Sequence, residues 1–324
     1  MAGIYIHIPF CKTRCSYCDF FTGTDISLKE NLIRAICSEL SIRKSYLKNE
    51  FIQTIYLGGG TPSLLSKDDF EKIFSTIHSN FSLAQCQEIT IEANPDDLTE
   101  EYIDMLRTFP FNRISIGIQS FCDKELQFIC RRHTAQQAID AVKNCQKAGF
   151  TNISIDLIYG LPEQKLLTWK KNLQQAIDLN IQHLSAYHLT YEKGTLLYQQ
   201  KKENKILAID ENLSNTMFIA LVEKLEKVGL KQYEISNFSL KSYESKHNSS
   251  YWDGKKYLGI GPSAHSFDGV SRQWNVASLD KYINNVTTQT QIEEIEVLSE
   301  EQQKNEFIIT RLRTIKGIDI HEFS

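Results

Sequence analysis

The stretch "IYIHIPFCKTRCSYC" (residues 4–18) decides the reading of this chain. Its first five residues alternate in the manner of a short β-strand. The loop that follows carries Cys11, Cys15 and Cys18 in a CxxxCxxC spacing, with no fourth cysteine nearby. Three thiols gathered in one loop call for a metal or redox reading. Structural zinc usually takes four protein ligands. The one histidine close by, His7, alternates with Ile6 and Ile8 on the strand, an orientation that can point it away from the loop. A [4Fe–4S] cluster accounts better for three ligands, because three cysteines hold three irons and the fourth iron keeps an open position for a small molecule.

Around this stretch the composition is ordinary for a globular protein. The chain has 324 residues, 41% hydrophobic and 23% charged, enough for one large domain or two smaller ones. A net charge of −4 and scattered lysines argue against a nucleic-acid partner. No apolar run reaches the roughly 18 residues that span a bilayer. The start, "MAGIYIHIPF", has no basic segment ahead of a longer apolar one, so a cytoplasmic, reducing location is expected, with all eight cysteines as thiols. Cys37, Cys86, Cys122, Cys130 and Cys145 read as small buried hydrophobes.

Short β-branched runs alternate with longer helical patterns through the first two-thirds of the chain. Strands are expected at 4–8, 53–57, 88–93, 113–118, 152–158 and 183–189, and helices at 28–47, 68–78, 135–149 and 168–179. Gly149 reads as a helix end in a left-handed conformation. Repeated βα units imply a parallel sheet with right-handed crossovers, open or curled toward a barrel, and six strands are too few to close an eight-stranded one. Beyond about 205 the rhythm changes to a helix at 210–230, a strand at 231–238 and a section rich in glycine and aromatics at 247–267. The expected division is a core at 1–235 and a C-terminal extension at 236–324, whose tail reads as the opening of a further small domain.

Several polar residues fall where the strands end. "YLGGGTPS" (56–63) closes the second strand, and its glycines suit either a tight turn or close approach of a ligand. Glu92, Gln119 and Asp156 sit at or in the next three strands, where a polar group needs a partner. Each could bond a neighbouring loop; three on successive strands suggest a lined cavity at the C-terminal edge, where parallel α/β proteins bind ligands. Arg131, in "CRRHT", reads either as an exposed salt bridge or as a clamp for a carboxylate.

In this order and spacing, "HIPFCKTRCSYCDF", "YLGGGTP", "IEANP", "IGIQSF" and "IDLIYGLP" resemble the radical S-adenosylmethionine (SAM) superfamily, and within it the coproporphyrinogen dehydrogenase-like branch. The resemblance implies an α/β fold, a partial (β/α)6 TIM-like barrel with a C-terminal α+β extension. It implies that Cys11, Cys15 and Cys18 ligate a [4Fe–4S] cluster whose unique iron binds SAM, with Tyr5, Gly59 and Glu92 contacting the cofactor. Tyr17, Gly60, Thr61, Gln119, Arg131, Asp156 and Thr190 match positions around a second cofactor or substrate pocket. Cys130 departs from the family pattern, which has glycine in "GR" there.

Two activities compete within this branch. The oxygen-independent coproporphyrinogen III dehydrogenases, which carry out a radical oxidative decarboxylation, continue the motif to a fourth cysteine and carry an N-terminal extension. Here Phe20 stands at that fourth position and four residues precede Tyr5. "HNSSYW" (247–252) instead resembles the HNxxYW motif of the HemW heme chaperones. That likeness implies heme as cargo with His247 as its ligand, and His265 in "GPSAHSF" as the competing candidate. Read without the family, a histidine before two aromatics is more often a loop residue beside a core edge. The implied partners are a heme-acceptor protein of respiratory, membrane-associated type and an electron donor to the cluster.

Overall fold

The β-branched runs become strands because one face of each is wholly apolar. Ile4, Ile6 and Ile8, and likewise Ile114, Ile116 and Ile118, are completely buried under the surrounding helices. The structure is a computed structural model that describes residues 2–48 and 50–319. Six strands, β1 (Ala2–Ile8), β2 (Ile52–Gly59), β3 (Glu88–Ala93), β4 (Arg113–Gln119), β5 (Ile153–Tyr159) and β6 (His183–His188), pair in sequence order and in parallel. Helices α1 (Lys29–Ile42), α2 (Lys67–Asn80), α3 (Glu100–Leu106), α4 (Asp123–Phe128), α5 (Ala135–Lys147) and α6 (Leu166–Asp178) lie between them. Ser66 and Thr134 close capping boxes at α2 and α5. Gly149, at φ +91°, takes the left-handed conformation expected after α5.

The parallel array does not close on itself. β6 pairs on its far side with β8 and β1 with β9, so the six-stranded barrel stays partial. After α7 (Leu196–Lys202) and α8 (Glu211–Glu226), the strand expected at 231–238 is a hairpin, β7 (Lys231–Glu234) and β8 (Asn237–Ser239), turning at Ile235 and Ser236. Then come α9 (Lys246–Trp252), β9 (Lys256–Ile260), β10 (His265–Phe267), β11 (Ser271–Asn275), α10 (Leu279–Thr288), β12 (Glu293–Val297) and α11 (Glu300–Leu312). "HNSSYW" is therefore helical rather than looped, held at its start by the Ser245 cap and by Glu88, which accepts from the backbone N–H of both Lys246 and His247 at 2.9 Å. One sheet of order β12-β11-β10-β9-β1-β2-β3-β4-β5-β6-β8-β7 thus runs through the described residues, with β9 to β12 beyond β1 and the β7–β8 hairpin beyond β6.

A buried ion pair ties the C-terminal section to α1. The fully buried carboxylate of Glu39 accepts from Arg43 (3.0 Å), Gly261 N–H (2.9 Å), Asn275 (2.8 Å) and the Tyr282 hydroxyl (2.5 Å). Arg43 also donates to Gly259 O, Ser266 and Gln273. Such a pair is tolerable in the interior because every charge is hydrogen-bonded. No helix among the described residues is long and apolar enough to cross a membrane.

Candidate functional site

The cysteine loop leaves β1 and is pinned by backbone bonds from Cys11 N–H to Gly23 O (2.9 Å), Gly23 N–H to Pro9 O (2.8 Å) and Ser16 N–H to Ile129 O (3.2 Å). Cys11, Cys15 and Cys18 are all half-buried free thiols. They border a cavity of about 590 Å³ at the C-terminal edge of the barrel strands. Tyr17, Gly59, Gly60 and Thr61 share that cavity with them. Glu92, Gln119, Arg131, Asp156 and Thr190 complete it from the later strands and loops. Twelve of the fifteen expected site residues therefore line one cavity, across strands far apart in sequence.

Polar hydrogens are aimed at the sulfurs. Thr61 donates to Cys11 Sγ and Arg131 Nη1 to Cys15 Sγ, each at 3.4 Å. Arg131 is not an exposed salt bridge: it reaches inward, donating to Asn94 at 2.5 Å and to Gly117 O. Burial pushes the Cys11 thiol up, and that of Cys18 up to about 11. Thiolates here are favoured by a neighbouring cation; Arg131 is one, and a bound iron cluster would be a stronger one. Among the described residues no group of three or more His, Cys, Asp or Glu side chains is arranged to hold a single metal ion, as mononuclear zinc would need. His7 is engaged elsewhere. Its Nε2–H donates to Phe21 O (2.9 Å), which leaves Nδ1 to accept from the Tyr5 hydroxyl (3.0 Å). Three half-buried thiols with hydrogen-bond donors on two of them fit an iron–sulfur cluster with three protein ligands.

Glu92 is the acidic group in this cavity with the clearest hydrogen bonds. Tyr56 OH donates to its Oε1 at 2.6 Å and Gly59 N–H to its Oε2 at 3.1 Å. Burial pushes its carboxyl up to about 7, with Asp156 adding to the rise and Tyr56 opposing it. The glycines of "GGGTP" serve both readings open in the sequence. A Cβ on Gly59, at φ +107°, would fall 2.5 Å from His7 Nδ1, and one on Gly60 2.7 Å from Phe10 O, so packing against β1 and access to the cavity both require them. Gln119 (φ +71°) and Cys130 (φ +60°) hold left-handed backbone without being glycine. Cys130 thus keeps the conformation that the family's glycine would take, at a cost of about 1–2 kcal/mol.

A second cavity of about 660 Å³ lies on the other side of the cysteine loop, and Asp19 and Phe20 border both. Its core-side wall is Tyr5, His7 and Phe21, so Tyr5 lines this cavity rather than the first. Its far wall is aromatic: Tyr251, Trp252, Tyr257, Phe267 and Phe307, with His265, Arg272 and Arg311 among them. The two histidine candidates differ sharply. His247 is 1% exposed, and both ring nitrogens are engaged, Nδ1 with Thr54 and Nε2 with the Tyr251 hydroxyl, each at 2.8 Å. Burial, reinforced by Arg113, holds it neutral, with a pKa of about 3. His247 lines neither cavity, whereas Tyr251, which it holds, does. His265 is exposed on β10, with its ring beside Trp274 and no hydrogen bond to its ring among the described residues. Burial of its environment and the charge of Arg272 keep it neutral as well.

Sequence reasoning missed Tyr56, Arg272 and Arg311, and weighed His7 only as a zinc ligand. Tyr56 had a legible signal, since it alternates with Gly58 on the face that meets Glu92. The two arginines had none, because their cavity is assembled from segments distant in sequence.

The sequence profile of the Radical SAM superfamily matches residues 5–176. The heme chaperone HemW of Lactococcus lactis is 36% identical over 319 residues, covering 98% of this chain and 83% of the relative. The heme chaperone HemW of Bacillus subtilis is 34% identical, covering 91% of this chain and 82% of the relative. Among solved structures, coproporphyrinogen III oxidase (HemN) from Escherichia coli, a radical SAM enzyme, superimposes with a TM-score of 0.86 at 22% identity, over 99% of this chain and 77% of that one.

Proposed function

We propose that this chain, which belongs to the radical SAM superfamily and within it to the HemW family, is a heme carrier that loads heme into the aromatic cavity beside the cysteine loop and passes it to an acceptor protein. One observation carries this reading: an exposed, neutral imidazole, His265, with no hydrogen bond to its ring among the described residues, borders a 660 Å³ cavity walled by aromatic rings. A neutral imidazole is a good axial ligand for heme iron, and flat aromatic faces suit a macrocycle. His247 is then a positioning residue that orients Tyr251 in the cavity wall.

In the other cavity Cys11, Cys15 and Cys18 are the residues to hold a [4Fe–4S] cluster. Glu92 offers a carboxylate to the ammonium group of SAM, while Gly59 and Gly60 leave room along the backbone. The bound cluster would supply the electron that cleaves the sulfonium of SAM. Arg131 and Asp156 face the remainder of the space as a cation and an anion for a second ligand. The acceptor is a respiratory, membrane-associated protein, and a cytoplasmic reductant supplies the cluster.

Heme titration of the anaerobically reconstituted protein tests this reading. Wild type is expected to give the optical spectrum of histidine-ligated ferric heme. His265→Ala should lose that spectrum and bind at least tenfold more weakly, whereas His247→Ala should keep the spectrum with a smaller loss of affinity. The reverse pattern would make His247 the ligand. Absence of heme binding by every form, together with decarboxylation of coproporphyrinogen III, would replace the carrier with the oxidative decarboxylase.

A further inference from the structure

The aromatic cavity carries two guanidinium groups, each of which donates to a carboxylate. Arg272, on β11, donates Nη2 to Glu306 at 2.7 Å, and the pair is partly exposed (42% and 31%). Its Nε–H has no acceptor among the described residues. Arg311, on α11, donates Nη1 to Asp253 at 2.7 Å. Each guanidinium lies over a ring of the cavity wall, Arg272 over Phe267 (5.9 Å) and Arg311 over Phe307 (5.3 Å), so aromatic contact steadies both. Glu306 and Arg311 stand five residues apart on α11, about 7–8 Å along its axis. α11 itself buries no residue completely and is tied across the cavity by these pairs.

Resting on the heme-carrier reading, we infer that Arg272 and Arg311 bind the two carboxylates of a porphyrin, which displace Glu306 and Asp253, so that the cavity selects macrocycles bearing a pair of acid side chains. Arginine forks accept carboxylates in two-point geometry, so one carboxylate can replace another without loss of form. The exchange keeps each guanidinium paired, at the partly exposed Arg272–Glu306 pair and at the more enclosed Arg311–Asp253 pair (17% and 20%), so neither charge is left uncompensated. No covalent bond is made or broken; the displaced Glu306 turns to water, and Asp253 keeps Lys316 at 3.5 Å.

The test compares iron protoporphyrin with its dimethyl ester, which keeps ring and iron but lacks both charges, in the same detergent. Wild type is expected to bind the free acid at least tenfold more tightly than the ester. Arg272→Gln combined with Arg311→Gln should abolish that preference, lowering free-acid affinity at least tenfold more than ester affinity. Glu306→Gln, by removing a competitor, should tighten the free acid severalfold and leave the ester alone, a gain that a misfolded variant cannot imitate. Equal binding of acid and ester by wild type, or a preference that survives the double substitution, overturns this inference and leaves the carrier reading standing. No binding of either compound overturns both.

Discussion

At the scale of single residues, Glu92 makes the most direct prediction. Its carboxyl, raised to about 7 in the folded protein, is protonated below that value and offers no charge to an ammonium group. SAM affinity should therefore fall by about tenfold per pH unit as pH drops below about 7. Glu92→Gln should flatten the profile and weaken binding at pH 8. Calorimetry on anaerobic, cluster-loaded protein reads both, and a flat wild-type profile would remove Glu92 from cofactor binding. The three cysteines and Glu92 were legible because their chemistry is local: thiols crowded in one loop, a carboxylate in an apolar strand. The contrast between His247 and His265 was not legible. Nothing in "HNSSYW" says that Thr54, almost two hundred positions earlier, accepts or donates at one nitrogen while Tyr251 engages the other.

Among the elements, α1 shows why periodicity alone misleads. Glu39, in "ICSELSIRK", reads as a charged position on an amphipathic helix, yet it is completely buried and joins α1 to β11, α10 and the β9–β10 link. Burial raises its carboxyl against the pull of Arg43. Glu39→Ala leaves Arg43 uncompensated and should destabilise the protein by about 3–5 kcal/mol, measured by urea unfolding. A loss within about 0.5 kcal/mol, as expected of a surface position, would contradict the hub. The six parallel strands were recognisable because β-branched residues must be buried on the helix side whatever their neighbours are. The short strands β7 to β12 left a weaker trace, as pairing rather than composition makes them strands.

For the molecule as a whole, the position of β1 between β2 and β9 governs cohesion. Residues 256–260 hydrogen-bond along Ala2–Ile6, and Leu258 and Ile260 are fully buried there. A fragment ending at 235 would expose that edge of β1 together with the Glu39–Arg43 pair, so it should aggregate or lose cooperative unfolding, as size-exclusion and circular dichroism would show. A monomeric fragment with a sharp thermal transition would establish the first 235 residues as independent. The partition formed by Asp19 and Phe20 has a thermodynamic corollary of its own. Because the same two residues face both chambers, a ligand that held them from one side in a different position would alter the free energy of filling the other. Linkage makes that influence mutual: the factor by which an assembled iron centre changes affinity for a guest next door equals the factor by which the guest changes the grip on iron.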